Sequence, residues 1–276
     1  MSRDTPPPPR HRWITESQAE EMPEQDVRDY VYHLELDFDF DQQLAAIRGI
    51  LQRNRESEWS LANAIDVASV EAHRLTGIRR WYAFNDHDSL IQESVYQDAA
   101  HSTAAAGMLA PFLETVFTQC FRGIGSKWAS VVTPGLKHAR WQGVQEIQWN
   151  CHNVIEKGRA RTDLVQGILQ LADAIGFRSR LPSDIDKVLS ALFSYRNKMF
   201  HCGFEWPVEE RTAFKKRLDD GTWPITWFSS ATSGSEPWVF YMTEQFIDHC
   251  LETADKVLTA FGQFIQNELW PKSEED

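Results

Sequence analysis

The sequence predicts a mainly α-helical protein: an antiparallel helical bundle with a small strand-and-helix accessory region at its N-terminal end and an inserted aromatic hairpin. Three observations carry that prediction. Apolar residues recur at helical spacing over long runs, as in Val95, Ala99, Ala106, Leu109, Leu113, Val116, Phe117 and Cys120. Start and stop signals bracket these runs, with Thr162 before and Gly176 after one of them, Gly203 after the next and Thr243 before the last. Strict alternation of apolar and polar residues is confined to short stretches.

Residues 1–25 are Pro-rich and then Glu-rich, the composition of a disordered tail. An accessory region follows over 26–92. Within it Tyr32, Leu34, Leu36, Phe38 and Phe40 alternate with polar residues, which predicts a strand. Asp41 is placed to cap the next helix, with Leu44, Ile47, Ile50 and Leu51 as its stripe, and another helix is expected at 59–75. Residues 76–92 read as a loop. The helical domain is expected over 93–270, opening with the run from Ser94 to Phe121, which Pro111 should kink or split. Gly123, Gly125, Pro134 and Gly135 mark an irregular connection. Thr162 should cap the helix of Leu164, Ile168, Ala172 and Ile175, and Pro182 with Ser183 should open the next, ending near Cys202 at Gly203. The insertion, 203–242, contains a short basic helix and two aromatic runs around an Ala231–Ser235 turn, the pattern of a hairpin. Thr243 then caps a last helix reaching about Leu269.

No apolar run is long enough for a membrane span, and the N-terminus lacks the apolar core of a signal peptide. Cys120, Cys151, Cys202 and Cys250 show no C-x-x-C spacing and read as free thiols of a cytoplasmic protein. The net charge of −12 argues against nucleic acid, but its distribution does not. Residues 120–217 hold sixteen Lys/Arg against nine Asp/Glu, whereas 13–41 hold ten acids and one Arg. The acidic segment is therefore a candidate cover for the basic one, and the basic one a candidate phosphate-binding surface.

The most informative stretch is Ser194–His201, S-Y-R-N-K-M-F-H. With Ile185 at zero, Leu189 lies at about 40°, Leu192 at about 340° and Met199 at about 320°, so Arg196 at about 20° falls inside the apolar stripe. A guanidinium there must be paired, or else held for a ligand. His201, five residues on, has the side chain suited to proton transfer near neutral pH. An Arg and a His are the minimum set for cutting RNA without a metal, because the 2′-hydroxyl is a built-in nucleophile. On a regular helix the two lie about 140° apart. They meet only if the last turn unwinds at Gly203, or if a second subunit supplies the complementary group.

The run Y-R-N-K-M-F-H-C-G-F-E-W-P at 195–207 resembles the R-x4–6-H signature of HEPN domains (higher eukaryotes and prokaryotes nucleotide-binding). By helix pattern the resemblance covers residues 94–268, and by motif about a dozen. It implies an all-α bundle, a homodimer with the motifs near its axis, and a metal-independent endoribonuclease of a toxin–antitoxin or antiviral system. It also implies catalytic roles for Arg196 and His201 supported by Asn197, with RNA as substrate, a possible cognate antitoxin as partner, and no cofactor. The alternative is an inactive module that binds nucleic acid, nucleotide or protein. In that reading Arg196 pairs with a carboxylate such as Glu114, and His201 only favours its helix C-terminus.

Tyr195 and Lys198 inside the motif, with Lys137 and Arg140 upstream, are candidate substrate contacts. Trp128, Trp141 and Trp149 lie among those upstream cations and either stack bases or pack the connection onto the bundle. No metal site is expected: Asp37, Asp39 and Asp41 lack the Gly and Glu of a calcium loop, and the adjacent Cys–His pairs at 151–152 and 249–250 lack zinc spacing.

Overall fold

The first apolar stripes fold into a helical hairpin of two α-helices, α1 (Phe40–Arg74) and α2 (Gly77–Val132). The structure is a computed structural model, and it describes residues 26–133, 137–234 and 236–270. The two helices replace the expected break before residue 59 and the expected loop at 76–92. The stretch between has no Pro, and its one Gly stands at the start of α2, so nothing stops helix propagation once each helix can pack on the other. The expected domain boundary at 92/93 consequently falls inside α2. The distal part of the hairpin buries little: Trp59, Val67, Ile78, Trp81 and Tyr82 are all exposed. Pro111 does not split α2, because it faces solvent, where water can serve the carbonyl left without a donor. The helical geometry fails instead at Trp128 (φ −126°, ψ 20°).

The alternating segment is not a strand: its first half lies in a 3-10 helix, Val27–Leu34, and residues 35–39 are irregular. A lone strand needs a partner for its backbone groups, whereas this turn satisfies them locally. Asp26 accepts from the Arg28 N–H, Asp29 accepts from the Asp26 N–H, and Glu35 ends the element at φ 54°. The following helix is capped by Asp39, whose carboxylate accepts from Gln42, and not by Asp41.

After α2 the chain forms two short helical turns, Ala139–Gln142 and Gln145–Gln148, then a small hairpin, β1 (Asn153–Glu156) with β2 (Arg159–Thr162). Lys157 and Gly158 both have positive φ, the two-residue turn such hairpins favour. Next come α3 (Leu164–Ala174), capped by Asp163 where Thr162 was expected, and α4 (Ile185–Cys202). The 203–242 region holds α5 (Val208–Asp219) and the expected aromatic hairpin, β3 (Phe228–Ser233) antiparallel to β4 (Glu236–Met242) with Phe228 opposite Met242. The last helix, α6 (Glu244–Phe264), is capped by Thr243 and runs into a π turn, Ile265–Leu269.

The protein is thus mainly helical. One aromatic group, Phe117, Phe121, Phe177 and Phe261, packs α2 against α6. A second, Tyr195, Trp206, Phe214, Phe228 and Phe240, seats the 203–242 region on α4. Gly262 lets the N-terminal 3-10 helix close onto α6, since a Cβ there would lie 2.1 Å from the Val27 carbonyl oxygen. No helix among the described residues is long and apolar enough to cross a membrane.

Candidate active site in the Arg196 cleft

α4 buries Ile185, Val188, Leu189, Leu192 and Met199 on one side. Its other side, carrying Asp186, Ser190, Ser194 and Asn197, lines a cleft of about 700 Å³. Arg196 stands at the border of the two. Its side chain keeps 29% of its surface exposed, and Nη2 lies 3.3 Å from Oε2 of Glu114 on α2. Arg196 thus has the carboxylate partner that a guanidinium in an apolar stripe requires. Its Nε is buried and donates to no acceptor among the described residues. Asn197 is exposed on the cleft.

The cleft's imidazole is His152. Its Nε2 lies 3.7 Å from Oε1 of Glu114 and 3.5 Å from the Thr118 hydroxyl. Glu114 therefore stands between His152 and Arg196 with one oxygen toward each. His201 is elsewhere. α4 stays helical through His201 to Cys202 and stops at Gly203 (φ 70°), so the expected unwinding does not occur. His201 is exposed in the last turn, one helical turn past Asn197 on the same face, and does not line the cleft.

Two expected substrate contacts are internal. Tyr195 is fully buried, and its hydroxyl donates to the Phe240 carbonyl at 3.0 Å; burial pushes its ionisation far above the usual range. Its ring is the wedge of the second aromatic group, which is why it faces inward. Arg140 is fully buried too. Its guanidinium donates to the carbonyls of Ile147, Gln148, Asn150 and Asn153 and to the Gln170 side chain. Burial lowers its pKa to about 10, so it remains charged, held by carbonyl dipoles instead of phosphate. Lys137 is exposed, and Lys198 is ion-paired with Glu210. Trp128, Trp141 and Trp149 pack against the core as partly buried side chains. Trp149 lies on Gly125 so closely that a Cβ there would sit 2.4 Å from the ring.

Arg140 thus organises the 147–153 segment that presents His152. Gln170 on α3 clamps the following strand, accepting from Ile155 N–H and donating to its carbonyl. Gly167 lets α3 touch the Cys151 carbonyl, which a Cβ would meet at 2.0 Å. Sequence spacing offers no route to this constellation: His152, Glu114 and Arg196 come from three segments that only the tertiary fold brings together.

The acidic N-terminal segment does not cover the cleft where it is described. Arg28 pairs with Asp41 and Asp255, and Glu35 pairs with Lys127, so residues 26–41 lie on α6 and the end of α2. Residues 13–25 lie outside the described residues. A separate cluster joins α1, α2 and α6: Glu58, His101 and Glu244 bring ligand-type atoms within 4.8 Å of one another. Nδ1 of His101 is 2.5 Å from Glu58, and Arg55 pairs with Glu244 and Asp248. Cys250 is buried with its thiol pushed far upward by desolvation, and His249 Nε2 lies 2.8 Å from the Asp184 carboxylate. Compared with family models, curated proteins and solved structures, the chain matches none.

Proposed function

We propose that the protein is a metal-independent endoribonuclease of the HEPN type, acting in the cytoplasm as a homodimer, and that the Arg196 cleft is where RNA is cut. The observation that carries this reading is the exposure of the R-N-x3-H motif: Arg196 and Asn197 border an open cleft, and His201 stands at the solvent-facing end of the same helix. Arg196 stabilises the charge that builds on the phosphate as the 2′-hydroxyl attacks, and can do so because a phosphate oxygen is a better partner for a guanidinium than a shared, half-exposed carboxylate. His201 moves a proton. Asn197 donates to the phosphate or the ribose. A homodimer brings the two helix ends together and supplies a His201 to each cleft, which answers its distance from Arg196 within one chain.

A second reading follows from the Arg196–Glu114 pair itself, which gives the guanidinium a structural partner: a non-catalytic module that binds nucleic acid, nucleotide or protein. Incubation of the full chain with RNA in EDTA separates the two. The nuclease reading expects 2′,3′-cyclic phosphate ends, loss of at least about 100-fold in rate for Arg196→Ala and for His201→Ala, and no cleavage of fully 2′-deoxy substrate. Binding without cleavage selects the module.

A further inference from the structure

Cleavage by an internal 2′-hydroxyl needs two proton transfers, one from the attacking oxygen and one to the departing 5′ oxygen. Arg196 can perform neither, because a guanidinium does not give up its proton near neutral pH. His201 is a single imidazole and stands outside the cleft. The remaining side chains of the cleft narrow the choice. Asp163 is committed to capping α3 and to Arg161, and Asp186 lies in the first turn of α4, about ten residues and three helical turns from Arg196. Lys187 is exposed and stands nine residues before Arg196, about two and a half helical turns along α4.

His152 meets the requirement. Its side chain is 37% exposed on the cleft. Nε2 faces the Glu114 carboxylate and the Thr118 hydroxyl, which favours the tautomer with its proton on Nε2 and leaves Nδ1 as the basic nitrogen. The residue is also held in place. Its backbone N–H donates to Asn150 Oδ1 at 3.0 Å, its carbonyl accepts from Asp163 N–H at 2.9 Å, and Arg140 fixes the carbonyls on either side. Side chains so supported are the ones that keep catalytic geometry.

We propose that His152 is a catalytic residue of this cleft, the base that takes the 2′-hydroxyl proton, and that Glu114 is its positioning residue; the proposal rests on the nuclease reading above. As the 2′ oxygen bonds to phosphorus, its proton passes to Nδ1 of His152. The bond from phosphorus to the 5′ oxygen breaks, and that oxygen takes the proton of the imidazolium of the His201 that the second subunit supplies. A 2′,3′-cyclic phosphate and a 5′-hydroxyl result; His152 then loses its proton to water and His201 regains one. Phosphate binding draws Arg196 off Glu114, whose carboxylate is then free to close the 3.7 Å gap to His152.

The test is single-turnover cleavage of RNA in EDTA by the full chain, with RNA affinity measured separately. His152→Ala should lower the rate about 100-fold or more without changing affinity, and added imidazole should restore part of it. Imidazole should not rescue Arg196→Ala. Glu114→Gln should lose about 10-fold or more in rate, since an orienting carboxylate acts only through its imidazole. A His152→Ala protein that cleaves at the wild-type rate while Arg196→Ala and His201→Ala are inactive overturns the role of His152 and leaves the nuclease reading standing. A slow variant with weakened affinity and no rescue shows a structural residue, and overturns it equally. Wild-type protein that cleaves no RNA removes the nuclease reading and this proposal together. Should His152→Ala fail to fold, His152→Gln provides the same comparison.

Discussion

Asp98 illustrates what happens to an acid in this fold without a cation of its own. Desolvation first, then the nearby Glu58 and Glu244 carboxylates, raise its pKa to about 6, while His101 pulls in the opposite direction. A raised acid pKa means that the folded state resists ionisation. The cost is absent below the unfolded value of 3.8, grows between there and about 6, and is fully present above. Asp98→Asn should therefore stabilise the protein at pH 7.5, by on the order of 1 kcal/mol after allowing for the solvent that a half-buried site retains. At pH 4 the gain should largely vanish. Denaturant midpoints of both proteins at the two pH values check this; an equal gain at both would show that charge is not the cause.

Among the elements, the small segment between α2 and α3 matters most to the cleft. β1 and β2 are only four residues each and bury little beyond Val154 and Ile155. The segment is held instead by Arg140, Gln170 and the close approach at Gly167. Gly167→Ala should push α3 and the Cys151 carbonyl apart, cost about 1–3 kcal/mol as an overpacking change, and lower the proposed RNA cleavage by displacing His152. Gly49→Ala is the control. Gly49 is also helical, but the nearest atom to its Cβ is the Arg53 guanidinium at 3.7 Å, so that change should stabilise by about 0.5–1 kcal/mol. Equal losses at the two sites, read from thermal melts, would dismiss the close approach as an anchor.

At the scale of the whole molecule, burial is uneven. Along α2, Ala99, Ala105, Ala106, Leu109, Leu113, Val116, Phe117 and Phe121 are fully buried, while the hairpin formed with α1 over residues 59–92 is mostly exposed. Local opening free energy follows burial and packing. Amide hydrogen exchange should thus be orders of magnitude faster over 59–92 than over 99–124, although both are helical. Uniform protection along α2 would contradict this and show that the outer hairpin is packed against something, such as a second copy.

The helical class was legible from the 3.6-residue spacing, and so were the ends of α4 and α6 and the aromatic hairpin, because capping residues and turn chemistry act within a few neighbours. The strand expected at 30–40 and the loop at 76–92 were misread where local pattern was outweighed by what a segment can pack against: Val27–Leu34 found α6, and Gly77–Gln92 found α1. Arg196 was visible as a charge in an apolar stripe, and its Glu114 partner was one of the readings open to it. The inward turn of Tyr195 and Arg140 was not visible, nor was the approach of His152. Periodicity records which side of its own helix a residue occupies. It holds no information on which distant carbonyl, ring or carboxylate the folded chain sets opposite, and at this cleft that opposition decides which groups meet.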